Sequence, residues 1–433
     1  MKKKLSLLLV MLLAALMLVA CGGGGSEDAG TETEGETTPG ETTEETKEGG
    51  ETITLAVWGS SPAETEALEK TVQSFEEKTG HKVQIEVITD NFNDQITARF
   101  AANNAPDVFY LEAYVAPRFI DSAVLMDITD HVPDQDDFFQ PLLNAFKDSE
   151  GRLYAVPKDY STLATYVNVD LLEEAGYTID DVPADWEGLV EFSKELQSKL
   201  PEGVHAMIFD RTMARHLSAF HATGLYPETE DGKADFTSSE KTFAYLQSLV
   251  DGQDEGYIVN PQMDLGMDSA GAAFGSGKAV IMIEGNWVLS ALHNEYPDVN
   301  YAILESPTVN GQKQTMIFTV GYAIAKDTDK ADVAIEFVNY MTGEGQQMWS
   351  ELSGTLPTRQ SVTEAMDIAS NEDWTAHIEG AKYGTPWTSG IYLPVIAQAF
   401  DNNFQAALNG DLTVEEAMQA AEEEANAEIE RQQ

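Results

Sequence analysis

Residues 52–111 read TITLAVWGSSPAETEALEKTVQSFEEKTGHKVQIEVITDNFNDQITARFAANNAPDVFYL. Three strand-like runs, Thr52–Trp58, Lys82–Ile88 and Pro106–Leu111, alternate here with two helical ones. Ser61-Pro62 is a helix start, Leu68, Val72 and Phe75 recur on one helical face, and Gly80 stops the helix; Phe92–Asn103 reads as the second helix. The order β-α-β-α-β predicts a mostly parallel sheet covered on both faces, a fold whose ligands bind beyond the carboxyl ends of the strands.

Outward from this stretch the pattern continues. Further strands are expected at Arg152–Val156, Leu163–Val169, Val204–Phe209, Ala279–Ile283, Tyr301–Leu304 and Thr315–Ala325. The last section is helical, at 331–340, 344–352, 392–408 and 414–430. A chain of 433 residues exceeds what one hydrophobic core serves, so two lobes are expected.

Upstream, Lys2, Lys3 and Lys4 precede an uncharged run from Leu5 to Ala20, a signal-peptide pattern too short for a bilayer span. A retained transmembrane helix is the competing reading. Leu18-Val19-Ala20-Cys21-Gly22 resembles the bacterial lipobox, which implies lipidation of Cys21, the only cysteine; a plain cleavage site beside an incidental thiol is the alternative. Residues 22–50 lack Val, Leu, Ile, Met, Phe, Trp and Tyr and carry nine acidic residues against one Lys, so they are expected to be a disordered acidic leash, and with the lipid that the lipobox implies, residues 21–50 become a lipidated Cys and its tether. Such a coil reaches roughly 30 Å, more with charge repulsion.

The formal charge is −49, and removing the three leader lysines takes it to −52. That field repels nucleic acid and argues against docking on anionic lipid. His-Glu-x-x-His and Gly-x-Ser-x-Gly are absent, and a lone cysteine excludes an internal disulfide and Cys-based metal sites. Gly275-Ser276-Gly277-Lys278 misses the phosphate-loop pattern at both ends and reads as a helix-to-strand turn. No metal or cofactor is expected. Trp58, Trp287 and Trp387 each stand where a strand has just ended or a Gly/Pro-rich loop begins. Edge packing explains each singly; their shared placement suits stacking on the C–H face of a sugar ring, with nearby carboxylates for its hydroxyls.

Several segments together resemble the extracellular solute-binding proteins of ABC importers, the family that includes maltodextrin-binding and other sugar-binding proteins, from residue 52 to about 430. They are Phe75-Glu76-Glu77-Lys78-Thr79-Gly80, Ala105-Pro106-Asp107-Val108-Phe109, Gly151-Arg152-Leu153-Tyr154-Ala155-Val156-Pro157 and Tyr166-Val167-Asn168-Val169-Asp170-Leu171-Leu172. Downstream follow 273–282 with Gly285-Asn286-Trp287, then Ala334-Ile335-Glu336-Phe337-Val338 and Gly354-Thr355-Leu356-Pro357-Thr358-Arg359.

The resemblance implies an α/β, two-lobed periplasmic-binding-protein fold of type II, each lobe a mostly parallel sheet flanked by helices. The crossovers would lie near Asp159–Ala164, Val320–Ala325 and Leu356–Val362. The amino-terminal lobe is then 51–160 plus 323–360, and the carboxyl-terminal lobe 161–322 plus 361–433. The ligand belongs between the lobes, which close on it. Residues implied to reach it are Trp58 and Ser60 after the first strand, Glu112 and Tyr114 after the third, and Asp159, Tyr160 and Ser161 at the first crossover. Asp210, Trp287, Gly321, Tyr322 and Trp387 complete the set, with Trp287 in the expected sugar-stacking position. Glu112 also reads as a helix N-terminal charge.

The function this implies is non-catalytic binding of a mono- or oligosaccharide outside the cell membrane by a lipid-anchored monomer, and its delivery to an ABC permease. Binding of another solute, such as a polyamine or peptide, is the first alternative, and a secreted sugar-active enzyme the second.

Overall fold

The computed structural model describes residues 50–229 and 231–433, with only the backbone of Ala369. The leader, Cys21 and nearly all of the acidic leash lie outside the described residues. Among the described residues ten strands run in chain order: β1 (Thr52–Trp58), β2 (Lys82–Ile88), β3 (Val108–Glu112), β4 (Ala155–Asn168), β5 (His205–Ile208), β6 (Ile258–Val259), β7 (Ala279–Gly285), β8 (Tyr301–Leu304), β9 (Met316–Ile324) and β10 (Thr385–Pro386).

In the order β2-β1-β3-β9-β4-β7-β5-β6, β1 is parallel to β2 and β3, and β5 is parallel to β6 and β7. The two parallel groups are joined by β4 and β9, which are antiparallel to each other and to their neighbours β7 and β3. Helix Pro62–Thr79 begins as its sequence dictates, with Ser61 Oγ accepting from Glu64 N, and ends at Gly80 in the left-handed region.

The apolar residues gather into cores on either side of β4 and β9. One joins the faces of β1 and β3 to helix Ala331–Met341 through Phe75, Phe109, Tyr322 and Phe337. The others join β5 and β7 to helices Leu393–Leu408 and Val414–Gln432, and to the segment around Trp374. These are two lobes, and β4 belongs to both: its first half pairs with β9 and its second with β7 and β8.

Two expectations change. Arg152–Val156 and Leu163–Val169 are not separate strands, because the polar centre between them continues the ladder as one buried 14-residue strand with a register shift at Pro157/Asp159. Gly275-Ser276-Gly277-Lys278 runs from a helix into β7, the reverse of a phosphate loop's strand-to-helix order, with Gly277 at φ 69° making the turn. Among the described residues no helix is long and apolar enough to cross a membrane, and no group of three or more His, Cys, Asp or Glu is placed to hold a metal ion.

Candidate functional site

A cleft of about 830 Å³ opens where β4 and β9 pass between the lobes, within the roughly 300–1,000 Å³ of small-molecule sites. From one lobe it receives Trp58, Ser60 and Pro62 after β1, Glu64 of the following helix, and Glu112 at the end of β3. From the other come Arg215, Ser269, Glu284 and Trp287, while β4 and β9 supply Lys158, Asp159, Ser161, Phe318 and Val320 to its floor. The strand ends of both lobes thus face one space, as expected for parallel sheets.

Trp287 sits there for a steric reason. The chain turns sharply after β7, and the indole folds back over Gly285; a Cβ at that glycine would lie 2.2 Å from Trp287 Cζ3. Phe318 meets the indole edge-on at 5.4 Å, and the Arg215 guanidinium lies 5.2 Å from the ring centre. Trp58 is braced by Phe92 at 5.5 Å and Tyr110 at 4.8 Å. Both indoles are held from behind and half-exposed toward the cleft.

The two cations that line the cleft are already partnered. Lys158 pairs with Asp159, only 3% and 5% of their surfaces being exposed, and its ammonium lies over Trp349 at 4.1 Å and Tyr110 at 4.8 Å. Trp349 Nε1 donates to Asp159 Oδ2 at 2.9 Å. Arg215 donates to both oxygens of Glu284 at 3.0 and 3.2 Å. Burial pushes the Glu112 carboxyl up to about 7 against the pull of Asn93 and Arg215, and it raises Glu64 and Glu284 as well. The cleft thus carries six carboxyl groups, of which Asp159 and Glu284 neutralise its two cations and Glu64, Glu112, Asp268 and Glu295 remain.

Of the twelve residues named from sequence, seven line this cleft: Trp58, Ser60, Glu112, Asp159, Ser161, Trp287 and Trp387. Five do not. Tyr160 points to the opposite face of β4 and packs edge-on against Phe139, because successive strand residues alternate. Tyr322 is buried in the lobe core against Tyr110 and Phe337. Gly321 is small to admit its own strand neighbours, since a Cβ there would lie 3.0 Å from Ala155 Cβ and 3.1 Å from Phe146 Cζ.

Asp210 accepts from Thr212 N and Oγ1 at 2.8 and 2.6 Å, so it is spent on the turn into helix Met213–Thr223. Burial opposes its charge, yet Arg215 and Thr212 hold its carboxyl below the usual range. Tyr114 stands behind Trp387, with ring centres 5.3 Å apart, and borders a second recess.

Sequence reasoning missed Glu64, Lys158, Arg215, Glu284 and Phe318. Glu284 and Lys158-Asp159 had a signal, since each is a charge inside an otherwise uncharged apolar run. Arg215 lies in the first turn of the helix after β5, one step beyond the loop that the strand-end rule selects.

The model of the bacterial extracellular solute-binding protein family matches residues 70–377. A lactose-binding protein of Rhizobium radiobacter is 23% identical over 75% of this chain and 79% of its own. An ABC substrate-binding protein from Listeria monocytogenes in complex with cycloalternan superposes with TM-score 0.78 at 22% identity, covering 88% of this chain and all of that one. A Thermotoga lettingae solute-binding protein bound with α-D-tagatose gives 0.79 at 20% identity, covering 87% and 99%. At these identities the structural likeness establishes the two-lobed fold.

Proposed function

Since the chain belongs to the family of bacterial extracellular solute-binding proteins, we propose that it holds a saccharide between its lobes and delivers it to the permease of an ABC importer without chemical change. The observation that carries this reading is the pairing, in one interlobe cleft, of braced half-exposed indoles with a ring of carboxylates. An indole face covers the apolar C–H side of a sugar ring, and carboxylates accept from its hydroxyls. Trp58, Ser60, Glu112, Asp159, Ser161, Trp287 and Trp387 are the contacts proposed. The relatives named for lactose, cycloalternan and α-D-tagatose support a saccharide.

In this reading the lobes, 51–160 with 323–360 and 161–322 with 361–433, close about β4, β9 and the segment after Gly354, and the protein acts as a monomer. A leader over residues 1–20 exports it, and lipid on Cys21 with the acidic segment behind it tethers it at the outer face of the membrane. A cationic solute is the second reading, favoured by the four cleft carboxyl groups, of Glu64, Glu112, Asp268 and Glu295, that remain beyond the two pairing with Lys158 and Arg215. A thermal-shift panel of sugars, polyamines and peptides tests both, because a ligand bound only by the folded state raises the melting temperature. A rise with sugars alone supports the first reading, a rise with polyamines alone replaces it with the second, and no rise with either removes both.

A further inference from the structure

Beyond the cleft lies a second recess of about 490 Å³, also formed between the lobes. Asn91, Asn93 and Thr97 line one side of it, and Gln398 and Glu424 the other. One pair of touching side chains borders both spaces. Trp387 faces the cleft, Tyr114 faces the recess, and their rings lie 5.3 Å apart with planes 31° from each other. Each lobe contributes one of the two rings. Thr388 Oγ1 adds a bond to Ala113 O at 3.3 Å, and Asn93 Nδ2 fixes the phenol by donating to Tyr114 Oη at 3.1 Å.

We infer that the Tyr114–Trp387 pair is the end wall of the cleft and sets how many units of an oligosaccharide it admits. This rests on the saccharide reading. A sugar ring stacked on the cleft face of Trp387 has Tyr114 directly behind its platform, so a further unit meets an indole that the phenol keeps from swinging back toward the recess. The space beyond carries amides, a hydroxyl, the carboxylates of Asp94, Glu424 and Glu428 and the guanidinium groups of Arg118 and Arg431, groups that pair with sugar hydroxyls. Tyr114 is thus a specificity residue that acts by volume, through Trp387.

The test titrates the protein calorimetrically with malto-, manno-, galacto- and arabino-oligosaccharides, each from disaccharide to heptasaccharide. Wild-type affinity should rise with length and then level off. Tyr114→Ala should move that levelling point to a longer chain, the newly admitted member binding about tenfold tighter than to wild type. Tyr114→Phe, which keeps the ring, should retain the wild-type point. Thr97→Trp added to Tyr114→Ala should restore it by filling the recess from an exposed helical position. If the alanine variant does not fold, Tyr114→Leu keeps an apolar contact on Trp387 with a shorter wall.

An unmoved levelling point in the truncated variant overturns the inference while leaving the saccharide reading intact, as does a phenylalanine variant that shifts as far as the alanine one. If no series binds wild type at all, the cargo is not one of these oligosaccharides and the wall falls, whereas the saccharide reading itself stands or falls on the thermal-shift panel.

Discussion

Replacing Asp159 by Asn tests how the floor of the cleft is held together. The substitution leaves the Lys158 ammonium 3% exposed, facing the rings of Trp349 and Tyr110 without its ion-pair partner and with Glu64 as a neighbouring carboxyl. Removing one partner of a buried ion pair costs about 3–5 kcal/mol, whereas replacing both by groups of similar volume is close to neutral. Lys158→Met leaves the Asp159 carboxylate with Trp349 Nε1 as its remaining side-chain donor and should cost a similar amount. The double variant should lie within about 1 kcal/mol of wild type, because Asn still accepts from Trp349 and Met covers the aromatic faces.

Unfolding entropy of about 2.1 cal/mol/K per residue gives the folded part roughly 0.8 kcal/mol/K in total, so a loss of about 4 kcal/mol lowers the melting temperature by about 5 °C. Calorimetric melts of wild type, both single variants and the double variant close the cycle. A double variant that melts near the sum of the two single losses, about 10 °C down, would refute the claim that the two charges exist for each other.

Three further outcomes follow from the same geometry. Trp287→Ala should weaken binding of the sugar found in the panel by about 1–3 kcal/mol, and Gly285→Ala should do so by a similar amount, because its Cβ displaces the indole; unchanged calorimetric affinity in both removes Trp287 from the site. Glu112, raised to about 7 from 4.5, binds its proton more tightly folded than unfolded, so its contribution is full below about 4.5 and is lost as pH rises toward 7. The melting-temperature advantage of ligand-free wild type over Glu112→Gln should therefore shrink across that window; a difference that stays constant with pH contradicts the assignment. Cys21→Ser should release soluble protein of undiminished affinity, and membrane-bound variant protein would argue for a retained span instead.

Much of this molecule could be read from residue pattern because its lobes are built from local units. Thr52–Trp58 and Lys82–Ile88 appear at the expected bounds, since an apolar run, a capped helix and a glycine stop are short-range events. The long central strand could not be read this way. Residues 157–162 look like a break because Lys158, Asp159, Ser161 and Thr162 interrupt the apolar run. What makes them strand is distant in sequence: Trp349 satisfies Asp159 from 190 positions away, and Asn286 Oδ1 accepts from Thr162 N from 124 positions away. A polar residue is cheap to bury only when its partner is present, and sequence pattern carries no information about partners that far off.

The same strand explains which candidates reach the cleft. The sequence reading placed the consecutive residues Asp159, Tyr160 and Ser161 on the ligand, which holds only if they lie in a loop. In an extended strand alternate residues share a face, so Asp159 and Ser161 line the cleft and Tyr160 must turn away into the far core. Tyr322 and Gly321 fail for a related reason: β9 pairs Gly321 with Pro157 and Tyr322 with Val156, on the lobe side of the register shift, while Phe318 and Val320 farther toward the crossover line the cleft. A residue's reach into the cleft thus depends on its position along the two crossing strands and on its parity within them. Both quantities become readable once β4 is known to be continuous.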